Sequence, residues 1–221
     1  AFRYFLVGVS LPNSMFWVNL RPDSPDEVID PELEKTDLGK ILLEADLQLK
    51  KDVSRFTSPD ALEGKEYWDN LYAKTEAIYG AQDIEIPTLT RPWIVPGEII
   101  IRESERGAFI YKATLKVMLE QDYLKDSSFY KFDDPKLKEI NEYSSELIRS
   151  IIIPKLTREV NSSRRYAQLR QVYYSLVLAQ WAKAKIKAQK SSICQGTGLS
   201  GGSDALIEKI DSKDLTNFVS E

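Results

Sequence analysis

Apolar residues recur along this chain with two different periods, and the switch between them separates extended from helical stretches. The stretches "EIIIRES" (98–104) and "AFIYKATLKVMLE" (108–120) alternate with period two on either side of Arg106-Gly107. This predicts a β-hairpin whose short Glu105–Gly107 connection uses the positive φ that glycine supplies. In its second strand Phe109, Tyr111, Ala113, Leu115, Val117 and Leu119 share an apolar face. Ile110, Lys112, Thr114, Lys116 and Met118 make a mixed one, as in an antiparallel sheet covered on one side. The aromatic and β-branched runs 2–11 and 15–20, with Pro12-Asn13 between them, predict two further strands, followed by a Pro/Asp loop at 21–31.

Elsewhere the period is three to four. Leu38, Ile41, Leu42, Ala45, Leu49 and Val53 predict a helix with Thr36 as N-cap and Asp37 in its first turn. "TSP" (57–59) reads as a second helix start, with Pro59 in the first turn. Trp68, Leu71, Tyr72, Thr75, Ile78 and Tyr79 carry that helix to a stop at Gly80, and the two helices are expected to pair. A third helix spans 133–153, capped by Asp133 or Asp134 and kinked or broken at Pro154. The longest covers 161–190; its middle, Val172 to Trp181, is apolar on more than one side and reads as central and buried. The expected fold class is α+β: a small antiparallel sheet that includes the 98–120 hairpin, packed against four to five α-helices. The expected organisation is one domain over 1–190, a Gly/Ser-rich linker at 191–203 and the start of a following, truncated segment at 204–221.

Composition narrows the chemistry. The 221 residues contain no histidine and one cysteine, Cys194. Within this chain that leaves no Ser-His-Asp or Cys-His nucleophile, no intrachain disulfide and no structural zinc set. A catalyst here would rely on carboxylates, Lys, Tyr, Arg or an oxygen-ligated cation. A net charge of −4 offers no electrostatic reason to expect nucleic acid. No run reaches the length of a membrane span. A 43% hydrophobic, 29% charged chain has the balance of an ordinary soluble domain.

Four stretches offer candidate chemistry. In "TRPWIVPGEIII" (90–101) two prolines stiffen the backbone around Arg91 and Trp93, which can stack on a ligand or recognise a carboxylate; the plainer reading is a rigid approach to the sheet. Glu120 and Asp122 end the hairpin two residues apart, on one side if the strand continues, where they can serve a glycosidase or a hard cation, or simply a polar loop. Glu44, Asp46 and Asp52 on the first long helix read as a solvated face, with an acid/base role to consider if one is buried. "RRYAQLRQVYYS" mixes Arg164, Arg165 and Arg170 with Tyr166, Tyr173 and Tyr174, a pattern that can bind nucleic acid but sits in an acidic protein.

The stretches "FWVNLRPDSPDEVIDPELEKTDLGKILLEADLQLKKD", "IPTLTRPWIVPGEIIIRE", "IYKATLKVMLEQDYL" and "IIPKLTREVNSSRRYAQLRQVYYSLVLAQW" resemble a family of uncharacterised bacterial proteins. The resemblance covers residues 16 to about 185 and implies no activity, cofactor or catalytic residue. It implies an envelope or secreted setting and a parent chain that continues past Glu221. The leading expectation is a non-enzymatic interaction or structural module of a larger bacterial protein, with no cofactor and no metal, whose partners are other protein segments of that parent chain. It should show an exposed apolar patch or an open strand edge, and no deep polar cleft. Two alternatives stand beside it: a carboxylate-based hydrolase or metal-assisted enzyme, in which Glu44, Glu98, Glu103, Glu120 or Asp122 converge in a pocket, and a small-ligand binder using Arg91 and Trp93.

Overall fold

The structure, a computed structural model, describes residues 2–10, 35–80, 92–104, 107–124, 134–194 and 207–210. The predicted strand 15–20, the loop 21–31, Arg91, Arg106, Asp133, residues 195–203 of the linker and most of 204–221 lie outside them. The fold is α+β, a small antiparallel sheet packed on helices. Its elements are α1 (Phe2–Ser10), α2 (Asp37–Thr57), α3 (Leu62–Tyr79), β1 (Pro92–Ser104), β2 (Gly107–Leu119), α4 (Glu120–Leu124) and α5 (Pro135–Leu147). A π-turn (Ile148–Ile152) leads into α6 (Ile153–Ser162), a 3-10 turn (Arg164–Tyr166) into α7 (Ala167–Cys194), and β3 (Ile207–Ile210) closes the order. The sheet runs β2-β1-β3, with β3 antiparallel to β1 at Ile99–Arg102, so part of the segment expected to start a following unit lies on this sheet.

The hairpin forms where the two-residue period places it, and Gly107 turns it with φ 139°. β1 is longer than expected. Pro92–Pro96, read from sequence as an approach, are strand residues paired with Leu119–Leu115. The prolines cost no ladder bond because of parity. Opposite them on β2, Leu115 N–H donates outward to Asn161 Oδ1 (2.9 Å) and Val117 N–H to Thr157 Oγ1 (3.2 Å), so the Pro92, Ile94 and Pro96 backbone also points away from the ladder. Asn161 Nδ2 returns a bond to the Leu115 carbonyl (2.7 Å), and the Tyr174 hydroxyl donates to that of Ala113 (3.0 Å). On β1 the Tyr173 hydroxyl donates to the Ile94 carbonyl (3.3 Å). Helical side chains thus occupy edge groups that would otherwise recruit another strand.

Two irregularities correct the predicted faces of β2. The register slips between Pro96 and Ile99 and again between Ile100 and Ile101, where Lys112 and Ile110 face consecutive β1 residues and Tyr111 is the extra one. One extra residue reverses which side chains face inward. Leu115, Val117 and Leu119 are buried in the main core, whereas Phe109 and Tyr111 are 51% and 55% exposed and Ala108 and Ile110 pack inward instead.

The main core joins Leu42 and Leu49 of α2, Tyr67 and Leu71 of α3, Ile140 of α5 and Val172 of α7 to the proximal hairpin. A satellite cluster of Ile99, Ile101 and Val177 continues along α7 beneath the distal hairpin. The central part of α7 is buried as its apolar run predicts. Thr36 caps α2, accepting from Gly39 N–H (3.1 Å), and Gly80 ends α3 in the left-handed conformation.

Three helical expectations change. Residues 2–10 are a helix, not a strand: α1 lies on α7, and Gly8 brings the two backbones so close that a Cβ there would meet Ala179 Cβ at 2.7 Å. "TSP" does not start α3. Ser58 terminates α2, and the turn through Pro59 delivers the chain to a cap at Ala61. Pro154 does not break the third helix. Ile153 N–H reaches back five residues to the Ile148 carbonyl, and this π-turn lets α5 run on into α6. The predicted helix from 161 accordingly begins at Ala167, after the 3-10 turn.

Asn161→Ala removes the acceptor for Leu115 N–H and the donor to its carbonyl at a partly buried edge. It is expected to cost about 1–3 kcal/mol in denaturant unfolding and to speed amide exchange at Leu115.

Candidate functional site

β2 passes directly into α4, which sets Asp122 at the end of the hairpin. The π-turn brings Arg149 alongside it. Arg149 Nε donates to Asp122 Oδ2 and Nη2 to Oδ1, both at 2.8 Å, a two-pronged ion pair. The hydrogen bond to Asp122 is the main reason the guanidinium holds its proton more tightly than usual. Beside this pair opens a groove of about 410 Å³ between α4, α5 and the π-turn. Asn141, Glu142, Ser145 and Glu146 of α5 line it with Asp122 and Arg149. Glu142 and Glu146 are exposed, so the wall is acidic even after Arg149 neutralises Asp122. Asn141 is 6% exposed, and its Oδ1 is buried without a hydrogen-bond partner. An amide oxygen stripped of water and left unbonded is costly to the fold.

Of the sequence candidates, Asp122 lies in this groove. Glu120 does not join it: the chain turns helical at Glu120, so residues two apart diverge, and Glu120 is 5% exposed within the interior. Trp93 is 5% exposed with its ring 5.1 Å from that of Tyr123, leaving it no open face for stacking. The other carboxylates are scattered. Glu44 is exposed on α2, Glu98 pairs with Lys112 and Glu103 with Lys185 (3.0 Å). Among the described residues no group of three or more His, Cys, Asp or Glu is placed to hold a metal ion.

Two aspartates read as solvated are buried. Asp46 and Asp52 are 4% and 0% exposed because both fall on the Leu42–Ala45–Leu49 stripe at steps of three and four. Asp52 accepts from the Tyr166 hydroxyl (2.9 Å) and lies 3.2 Å from Arg165, which itself donates to Glu159 (2.8 Å). Burial first, then the bond to Asp52, pushes the Tyr166 hydroxyl well above its ordinary pKa. The network ties α2, α6 and the 3-10 turn together. Of the rest of "RRYAQLRQVYYS", Arg164 is exposed, while Arg170 bonds inward to the Val160 and Ser163 carbonyls and Tyr173 and Tyr174 to the two hairpin strands. The groove itself is not a sequence motif. Besides Asp122, its linear trace is the pair of polar residues Asn141 and Ser145 on the inward face of an amphipathic helix.

At the distal hairpin the Arg102 guanidinium lies 3.5 Å from the Tyr111 ring centroid, and Phe109 stands beside it in solvent. No described helix is long and apolar enough to cross a membrane. No family model, curated protein or solved structure matches the chain.

Asp46 has a titration consequence. Burial, only partly opposed by Lys50, raises its pKa above the ordinary 3.8, and its Oδ1 is unbonded. Ionisation therefore costs the folded state stability at neutral pH, and that cost fades as pH falls through the raised value. Asp46→Asn should be more stable than the parent at pH 7, with the difference vanishing below about pH 4, as read by denaturant midpoints across that range.

Proposed function

We propose that this domain is a non-enzymatic interaction module that docks another protein segment on the distal end of its hairpin. The observation that carries the reading is the exposed pair Phe109 and Tyr111 on the outer strand of the sheet. Large aromatics standing in water beside an edge strand are costly unless a partner covers them, and aromatic and arginine side chains anchor protein interfaces. Arg102, stacked on Tyr111, adds a cation to the same surface. The helix bonds that close the β2 edge run from Ala113 to Val117, so the aromatics occupy the part of the strand beyond them. Strand addition with aromatic side-chain anchoring is the recognition mode that suits such an edge. The scatter of Glu44, Glu98 and Glu103 gives the carboxylate-enzyme alternative no comparable support.

A photo-crosslinking phenylalanine analogue placed at Phe109, in the protein expressed in its native cells, should capture a discrete protein species. The same probe at Glu44, exposed on α2, should not. Equal capture from both positions, or none from Phe109, contradicts the reading.

A further inference from the structure

We infer that the segment docked at the distal hairpin is acidic: an extended stretch of protein whose carboxylates are held by Arg102 and Lys116 on the outer face of the sheet. The inference rests on the docking reading above and adds the chemistry of the partner. Register defines the face. Residues directly opposite each other in a ladder share a side. Arg102 is opposite Phe109 and Ile100 opposite Lys112, and Arg102 stacks on Tyr111. Thr114 and Lys116 continue that side of β2 from Lys112 in steps of two. Ile99 and Ile101 lie on the other side, with Val177 of α7.

Charge on the outer face is one-sided. Its described carboxylate, Glu98, is paired with Lys112, and Glu103, on the inner side, is paired with Lys185. Lys116 is exposed, and neither it nor Arg102 makes an ion pair or a side-chain hydrogen bond among the described residues. Of the Arg102 nitrogens only Nε is buried without a partner, so the terminal Nη pair is the part a ligand reaches. In a chain of net charge −4, two unanswered cations beside two exposed aromatics reverse the sign locally. A guanidinium stacked on a ring is already ordered, and its fork matches a carboxylate. At roughly 3.4 Å per residue the span from Tyr111 to Lys116 is about 17 Å, so one extended segment beside β2 reaches both cations. It also meets the β2 backbone beyond Ala113, where helix side chains no longer close the edge. A basic segment would face the same two cations with no free carboxylate to answer it. A single strand of nucleic acid needs successive free ring faces and a tract of cations, and Arg102 already covers one face of Tyr111.

The test is titration of the full chain, followed by NMR at the Phe109 and Tyr111 amides, with four probes. They are a short peptide alternating valine with glutamate, its glutamine and lysine counterparts, and a short oligothymidylate. The glutamate peptide should give a saturable shift at both amides, bind at least fivefold more tightly than the other three, and weaken as salt is added. Arg102→Met, which keeps an unbranched side chain over Tyr111, combined with Lys116→Gln at an exposed position, should weaken it about fivefold. Lys116→Gln alone, which leaves the stack untouched, should weaken it measurably and flatten the salt dependence. No saturable shift from the glutamate peptide overturns the inference. So does equal or tighter binding of the glutamine peptide, the lysine peptide or the oligonucleotide, or binding of the glutamate peptide that survives both substitutions. The docking reading fails separately, by the absence of capture at Phe109 in cells. If the segment cross-linked there, identified by mass spectrometry, is neutral or basic, the docking reading stands and its acidic partner falls.

Discussion

The structure depends on the register between one helical rod, Pro135 to Ser162, and the strand–helix unit formed by β2 and α4. The rod touches that unit at both ends of its exposed reach. Arg149 grips Asp122 at the start of α4, and Thr157 and Asn161 close the outer backbone of β2. In an unbroken α-helix Arg149 and Thr157 would point about 80° apart, at about 100° per residue. The residue inserted by the π-turn sets the second half of the rod back by one step and brings the two faces nearly into line. It also widens the turn in which the ring of Pro154 would otherwise press on the Ser150 carbonyl. One local defect therefore accommodates a proline, terminates a sheet edge and builds a wall of the groove.

Edge closure explains why so small a sheet can lie within a mainly helical protein. A hairpin is marginal alone and needs its face covered and its edges answered. The apolar face packs on α2, α3, α5 and α7 through Leu115, Val117 and Leu119. The edges are answered by side chains: Asn161, Thr157 and Tyr174 on β2, and on β1 Tyr173 together with prolines that have no N–H to offer. Where this closure stops, the strand bulges, its faces exchange, and Phe109 and Tyr111 turn outward. The proposed docking surface thus lies just beyond the distal end of the sealed segment, and the polar groove beside Asp122 and Arg149 lies at its α4 end.

Much of the architecture was legible because periodicity reports burial directly. The hairpin, the Thr36 and Asp134 caps, the Gly80 stop and the buried middle of α7 follow from local patterns that the tertiary structure respects. The misreadings share one physical origin, a long-range contact overriding a local preference. Residues 2–10 have strand composition but are laid on α7, with Gly8 against Ala179. The bulge at Tyr111 reverses an alternation that looked unbroken in sequence. Asp46 and Asp52 look like surface residues by type but not by position on the helix. The groove was partly visible through Asp122; apart from Gln121 its other residues come from α5 and the π-turn, more than a dozen positions away, and nothing local marks Asn141 as unbonded. Arg91 lies outside the described residues and Trp93 is enclosed, so the ligand reading of "TRPWIVPGEIII" gains no support, and the plainer one is amended: the stretch belongs to the sheet itself.

The most direct measurement is amide hydrogen exchange on a variant with Ser150 deleted, which removes the extra residue of the π-turn while leaving the core side chains in place. The rod should then be unable to serve Asp122 and the β2 edge together. Protection at the Leu115 and Val117 amides should fall by at least tenfold, or the Arg149–Asp122 pair should be lost with those amides retained. A deletion variant that keeps both contacts and the parent's unfolding midpoint would contradict the register as the organising constraint.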